Sequence, residues 1–173
     1  MGGLAIARMS REFEAQVVNV EPKGQWPLLL AIPEESLSTE EARRVLPAQY
    51  SRSGVTANIQ NAMLLLAAFT QNRLDLLGAA LDDRMHQPYR AHLCPLLPAL
   101  QDAVGDYGIL GVALSGAGPS VLLFLHPGSP IKKTRHAIRA HLERHNLTAE
   151  LLATELTGEG ACKREDWKRK HPS

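Results

Sequence analysis

The sequence has little cysteine, few aromatic residues, no long apolar run and no surplus of either charge. Each scarcity removes a class of protein. The two cysteines, Cys94 and Cys162, lie far apart, which is neither the framework of a small secreted disulfide domain nor the paired spacing of a zinc site. With 19 Lys and Arg against 18 Asp and Glu, the net charge is +1, so nothing suggests a surface built to neutralise nucleic-acid phosphates. The dense basic run at Lys163-Arg164 and Lys168 to His171 reads as a solvated tail. The longest apolar stretches, such as Met63 to Phe69, are too short to span a bilayer. The N-terminus lacks the basic-then-apolar order of a secretory signal. The expectations are therefore no membrane, no nucleic acid and a cytoplasmic location. What is present, 45% hydrophobic and 21% charged residues over 173 positions, is the composition of a globular domain able to build its own core.

Along the chain, Gly3 to Arg8 and Glu14 to Val20 predict two strands joined by a polar turn. Trp26 to Pro33 predicts a third strand, with few polar side chains, as expected when both faces are covered. Ser38-Thr-Glu-Glu41 has capping-box spacing, predicting a short helix through Ala42, Arg43 and Val45 that stops before Pro47. Val55, Ile59, Ala62, Met63, Leu66 and Phe69 recur at helical spacing and predict a helix over Arg52 to Gln71, ended at Asn72. Further helices are expected over Leu74–Leu81 and from Pro95 to about Tyr107, with His86 to Arg90 as an interruption between them. Gly111 to Leu114 and Val121 to Leu125 predict two strands around a loop of small residues. A polar amphipathic helix over Ile131–Arg144 and a strand over Ala149–Leu156 complete the pattern. It suggests an α+β sandwich with helices on one side of a mostly antiparallel sheet.

Few residues offer chemistry. In the loop Ser115-Gly116-Ala117-Gly118-Pro119-Ser120, two glycines can take positive φ and turn backbone N–H groups into a concavity that suits an anion; the alternative is a tight hairpin whose glycines serve geometry alone. Arg43 and Arg90 could converge to grip a carboxylate or phosphate with planar forks that lysine cannot supply. They could equally be surface residues paired with Glu40 or Asp83. His86 could be a base or a ligand, or simply a residue at a helix end. Asn58 and Asn61 lie on the long helix, where Asn61 suits a helix-to-helix hydrogen bond. Asp82, Asp83 and Arg84 read as a solvated face. His136, His141 and His145 give only a weak metal spacing.

Three blocks in order, Thr39-Glu-Glu-Ala-Arg43-Arg-Val-Leu-Pro47, His86-Gln-Pro-Tyr-Arg90 and Gly111 to Ser120, resemble the homoserine kinases of the GHMP kinase superfamily. The resemblance runs from about Gly2 to about Ala161. It implies the ferredoxin-like sandwich of the GHMP kinase C-terminal domain over 26–161, preceded by a strand pair over 1–25 belonging to the N-terminal domain and followed by the basic tail, 162–173. It also implies that Thr39, Arg43, Arg90 and His86 bind L-homoserine, the arginines at its carboxylate. Ser115, Gly116, Ala117, Gly118 and Ser120 would shape the phosphate-transfer site. The family reaction moves the γ-phosphoryl group of ATP, with Mg2+, to the homoserine hydroxyl on the way to threonine.

The sequence departs from that family in three respects, the first being that the family's N-terminal substrate-binding block is missing. The motif Pro-x-x-x-Gly-Leu-Gly-Ser-Ser-Ala, which holds the ATP phosphates in the N-terminal half of family members, does not occur, nor does the family's magnesium-binding acidic residue. The expectation is a C-terminal portion, truncated or split, with little kinase activity alone and a complementing N-terminal half or a homodimer as partner. The alternatives are a non-catalytic amino-acid or anion-binding fragment and a sugar or mevalonate-type kinase of the same superfamily.

Overall fold

The computed structural model describes residues 3–11 and 14–158. The basic tail and Cys162 lie outside them. Two separate sheets form. The first is a ribbon of β1 (Leu4–Met9) and β2 (Ala15–Val20), antiparallel with Leu4 opposite Val20 and Met9 opposite Ala15. The second has four antiparallel strands in the order β4-β5-β3-β6, from β3 (Pro27–Ile32), β4 (Ile109–Leu114), β5 (Val121–Leu125) and β6 (Glu150–Glu155). Numbered within that sheet, the order is that of the ferredoxin-like fold: the two central strands, β3 and β5, are flanked by one strand from each half.

β3 is central because its residues suit burial on both sides. Leu29 and Ala31 face one cluster with Leu123, Leu125, Leu97, Leu100, Ile138 and Leu142. Trp26 and Leu28 face another with Phe124, Ala68, Phe69 and Leu77. The first cluster is roofed by α5 (Leu96–Gln101) and α6 (Ile131–Arg144), the second by α2 (Arg52–Gln71) and α3 (Leu77–Ala80). Helices therefore cover both faces of the sheet, not one. The physical reason lies in β3 itself: a strand apolar at successive positions exposes hydrophobic surface on whichever face is left bare.

The helix ends follow the sequence signals closely. Ser38 Oγ accepts from the Glu41 N–H at 3.1 Å and starts α1 (Thr39–Arg44). Ser51 Oγ accepts from the Gly54 N–H and starts α2. Asn72, at φ 56°, takes the left-handed turn that ends α2. Three expectations need correction. Leu74–Leu76 is a 3-10 turn leading into α3, which occupies only Leu77–Ala80. The helix expected to reach Tyr107 ends at Gln101; Gly105 at φ 94° and Tyr107 at φ 55° turn the chain back toward β4. His86–Arg90 is not an interruption but a helical turn, α4 (Gln87–Arg90), with Pro88 in the first turn, where its missing N–H costs nothing.

Candidate functional site

Four chain segments meet at one open cavity of about 580 Å³, and α2 contributes Asn58, Asn61, Ala62 and Leu65 to it. α1 supplies Thr39 and Arg43. The turn after α3 and α4 supplies Asp82, Asp83, His86, Gln87 and Arg90. The end of β4 and the loop beyond it supply Leu114, Gly116 and Ala117. Six of the nine residues singled out in the sequence thus share one cavity: Thr39, Arg43, His86, Arg90, Gly116 and Ala117. Ser115, Gly118 and Ser120 do not line it. They hold the loop instead, with Ser115 N–H donating to Ser120 O at 2.8 Å and Gly118 N–H to Ser115 O at 3.2 Å.

The two arginines are not alike. Arg90 is only 8% exposed, and its Nε donates to the Ala42 carbonyl of α1 at 2.9 Å. That bond aims the guanidinium and leaves the terminal NH2 groups to the cavity. Arg43 is exposed on α1. Neither arginine makes the ion pair that a surface role would suggest: Glu40 is bridged by Arg44 at 2.9 Å, and Asp83 is engaged elsewhere. A carboxylate entering between Arg43 and Arg90 would meet two planar cationic forks.

Asp83 is not part of a solvated face. Its carboxylate accepts from the backbone N–H groups of Met85, His86 and Gln87 at 2.9, 3.0 and 2.6 Å, and His86 Nδ1 lies 3.5 Å away. It therefore satisfies the open N–H groups at the start of α4 and fixes the turn that ends at Arg90. Asp82 does behave as a surface group, paired with Arg84 at 3.1 Å. Both carboxylates are thus occupied, so the cavity's uncommitted charge is positive. Asn61 Nδ2 donates to Asp82 O at 2.8 Å and Asn58 Oδ1 accepts from Arg84 N–H at 3.0 Å; the bond expected for Asn61 is structural, but its partner is the backbone of the turn after α3 rather than another helix, and both bonds tie α2 to the cavity rim.

The small-residue loop needs its glycine at Gly118. Its φ is 91°, and a Cβ there would lie 2.8 Å from Cys94 Sγ and close to Leu114 and Leu37. Cys94 is buried beneath the loop. Burial pushes its thiol pKa up, partly opposed by the Arg90 charge. Gly116, at φ 65°, has open space where a Cβ would be, so its backbone stays approachable. Sequence reasoning missed Gln87 and the capping role of Asp83. An acidic residue a few positions before a proline in a helix's first turn was the available signal for the latter.

Residues 65–144 match the family model described as GHMP kinases C terminal. The chain belongs with the GHMP kinases and carries their C-terminal domain. Within that class its relatives are homoserine kinases, of which it corresponds to a C-terminal portion. It is 35% identical over 151 residues to the homoserine kinase of Deinococcus radiodurans, covering 87% of this chain and 49% of that protein. It is 34% identical over 160 residues to that of a Synechococcus species, covering 91% and 52%. The crystal structure of homoserine kinase from Cytophaga hutchinsonii superposes with a TM-score of 0.79 at 25% identity, over 90% of this chain and 49% of that one. L. major mevalonate kinase shares the fold, at TM-score 0.69 and 17% identity, over 92% of this chain and 51% of that one. The chain spans about half the length of the curated relatives it matches.

Proposed function

We propose that the chain is the substrate-gripping part of a homoserine kinase. One observation carries this reading: Arg43, Arg90 and the Gly116–Ala117 backbone, from three separated blocks, line the same cavity. The arginines bind the amino-acid carboxylate, Thr39 and His86 offer further polar contacts, and the loop lies where the side-chain hydroxyl would receive its phosphoryl group. The reaction is phosphorylation of L-homoserine by ATP with Mg2+, in the cytoplasm, on the route to threonine. In such reactions the protein mainly positions the reactants and offsets charge.

The residues here fit only part of that demand. Gly116 leaves its backbone open to an anion, but among the described residues no group of three or more His, Cys, Asp or Glu is arranged to hold a metal. The family's phosphate-binding motif does not occur in the sequence, and a complementing N-terminal half is the partner proposed to supply the rest of the ATP and magnesium site. A homodimer through the β1–β2 ribbon is the second arrangement the exposed strands allow.

Calorimetry with L-homoserine tests the grip directly. Arg90→Ala should weaken binding about 100-fold and the more exposed Arg43→Ala about tenfold, the scale of one charge-assisted bond set lost in a sheltered or in a wet position. Turnover with ATP should be slight for the 173-residue chain and rise when the N-terminal half of a homoserine kinase is added. Binding of homoserine with no turnover in that mixture would favour a non-catalytic amino-acid-binding fragment. No homoserine binding at all would end the proposal.

A further inference from the structure

Among the described residues, Gln87 is the one buried amide on the cavity wall, 7% exposed, and the proposed function assigns it nothing. Its side chain uses both ends. Nε2 donates to the Leu81 carbonyl at 3.2 Å, and Oε1 accepts from the Leu114 N–H at 2.9 Å. Its own N–H donates to Asp83 at 2.6 Å. Three elements therefore meet at one residue: the end of α3, the start of α4 and the last residue of β4.

The Leu114 bond has a specific physical meaning. β4 is an edge strand of the four-stranded sheet, so its outward N–H groups have no neighbouring strand to accept them. Gln87 Oε1 takes that place at Leu114, immediately before the small-residue loop. Three positions after Gln87, on the same side of the short helix, stands Arg90. One side chain thus connects the short helix that carries Arg90 to the strand end that launches Gly116 and Ala117. Only a group that both donates and accepts can do this. A carboxylate would face the Leu81 carbonyl with no proton to give at neutral pH, and an apolar side chain would leave both backbone groups unmatched.

We propose that Gln87 is a positioning residue that sets the spacing between the carboxylate-binding arginine and the small-residue loop, so that a ligand spanning both ends depends on it more than a ligand held at one end. The proposal rests on the cavity being the homoserine pocket. L-homoserine engages the arginine end, whereas O-phospho-L-homoserine places a second anion toward the loop.

The test uses the full chain and two readouts. In calorimetry, Gln87→Met should bind L-homoserine within about threefold of the unaltered chain but O-phospho-L-homoserine about tenfold more weakly, the scale of one well-placed hydrogen bond. Equal weakening of both ligands, or no change in either, overturns the proposal. In amide hydrogen exchange by NMR, the Leu114 N–H should exchange about tenfold faster in Gln87→Met, together with Gly116 and Gly118 and with a shift of the Arg90 Nε–H signal, while Leu29 stays protected. Acceleration at Leu114 alone overturns the coupling. If the unaltered chain binds neither ligand, the substrate reading fails by itself and the exchange result still decides whether Gln87 connects the two elements. Should Gln87→Met not fold, Gln87→Glu keeps an acceptor for Leu114. Its Leu114 and loop amides should remain protected, and fast loop exchange despite a protected Leu114 would overturn the role assigned to that bond.

Discussion

The β1–β2 ribbon and the β3 strand are built from similar apolar residues, yet they meet opposite fates. Ala15-Gln-Val-Val-Asn-Val20 and its partner Leu4–Met9 are exposed along nearly their whole length, with Val18 and Met9 each 61% exposed. Pro27-Leu-Leu-Leu-Ala-Ile32 has Leu29 and Ala31 fully buried. Gly3 N–H, just before the ribbon, donates to Thr157 O at 2.7 Å, Lys23 N–H, just after it, donates to Phe69 O at 2.8 Å, and Leu4 lies against the Trp26–Phe69 cluster. The outer face of α2 resembles the ribbon, with Ile59 and Met63 exposed at 61% and 60%. Apolar content decides that a segment seeks cover. Whether cover exists depends on what the rest of the molecule places beside it.

The comparison can be broken most severely at its buried end. Leu29→Ala should cost about 3 kcal/mol, from the lost transfer energy and the cavity left between the sheet and the α5–α6 layer, read from urea unfolding. A cost below about 1 kcal/mol would mean that β3 is far less tightly enclosed than its burial suggests.

Cys94 sharpens the same contrast by pH. Its thiol pKa is raised by burial, so the folded chain holds the proton to higher pH than the unfolded chain does. The corresponding stability is complete below the unfolded thiol pKa, about 8.5, and is lost as pH rises through the higher folded value. In a Cys162→Ser background, Cys94 should resist a disulfide reagent at pH 8 under native conditions and react at once in denaturant. Unfolding midpoints should fall on the alkaline side less steeply in Cys94→Ala. Rapid native labelling would contradict the closed packing of Cys94 under Gly118.

The smallest effect is expected in the ribbon. Val18→Thr should change stability by less than about 0.5 kcal/mol, as for other exposed positions, while reducing self-association at high concentration if the exposed strands pair between copies. A loss as large as that of Leu29→Ala would show the ribbon to be covered in solution.

Much of the fold was legible because its signals are local. Ser38 stands as a helix cap where its spacing implied, the period of Val55 to Phe69 does form α2, and Ile131–Arg144 is helical over the bounds read from its pattern. The failures came where a local signal met a tertiary demand. Pro88 looked like a breaker, but Asp83 supplies the acceptor that lets a helical turn begin there. The Pro95–Tyr107 stretch looked like one helix, but the chain had to return to β4 and spent Gly105 and Tyr107 on the turn. The arginines could be named as candidates, yet their neighbours could not, because Arg90's partner, the Ala42 carbonyl, is a backbone atom on another element.

By itself the sequence determined the Ser38 cap, the periodicities, the small-residue loop and the three blocks that resemble those of homoserine kinases, since each depends on residues a few positions apart. Only the tertiary structure decided that helices cover both faces of the sheet, that the Ala42 carbonyl takes the Arg90 Nε–H, and that Gln87 ties the Arg90 turn to the edge of β4. Those outcomes depend on which distant backbone groups are left without partners once the strands have paired. That count exists only after the chain has folded.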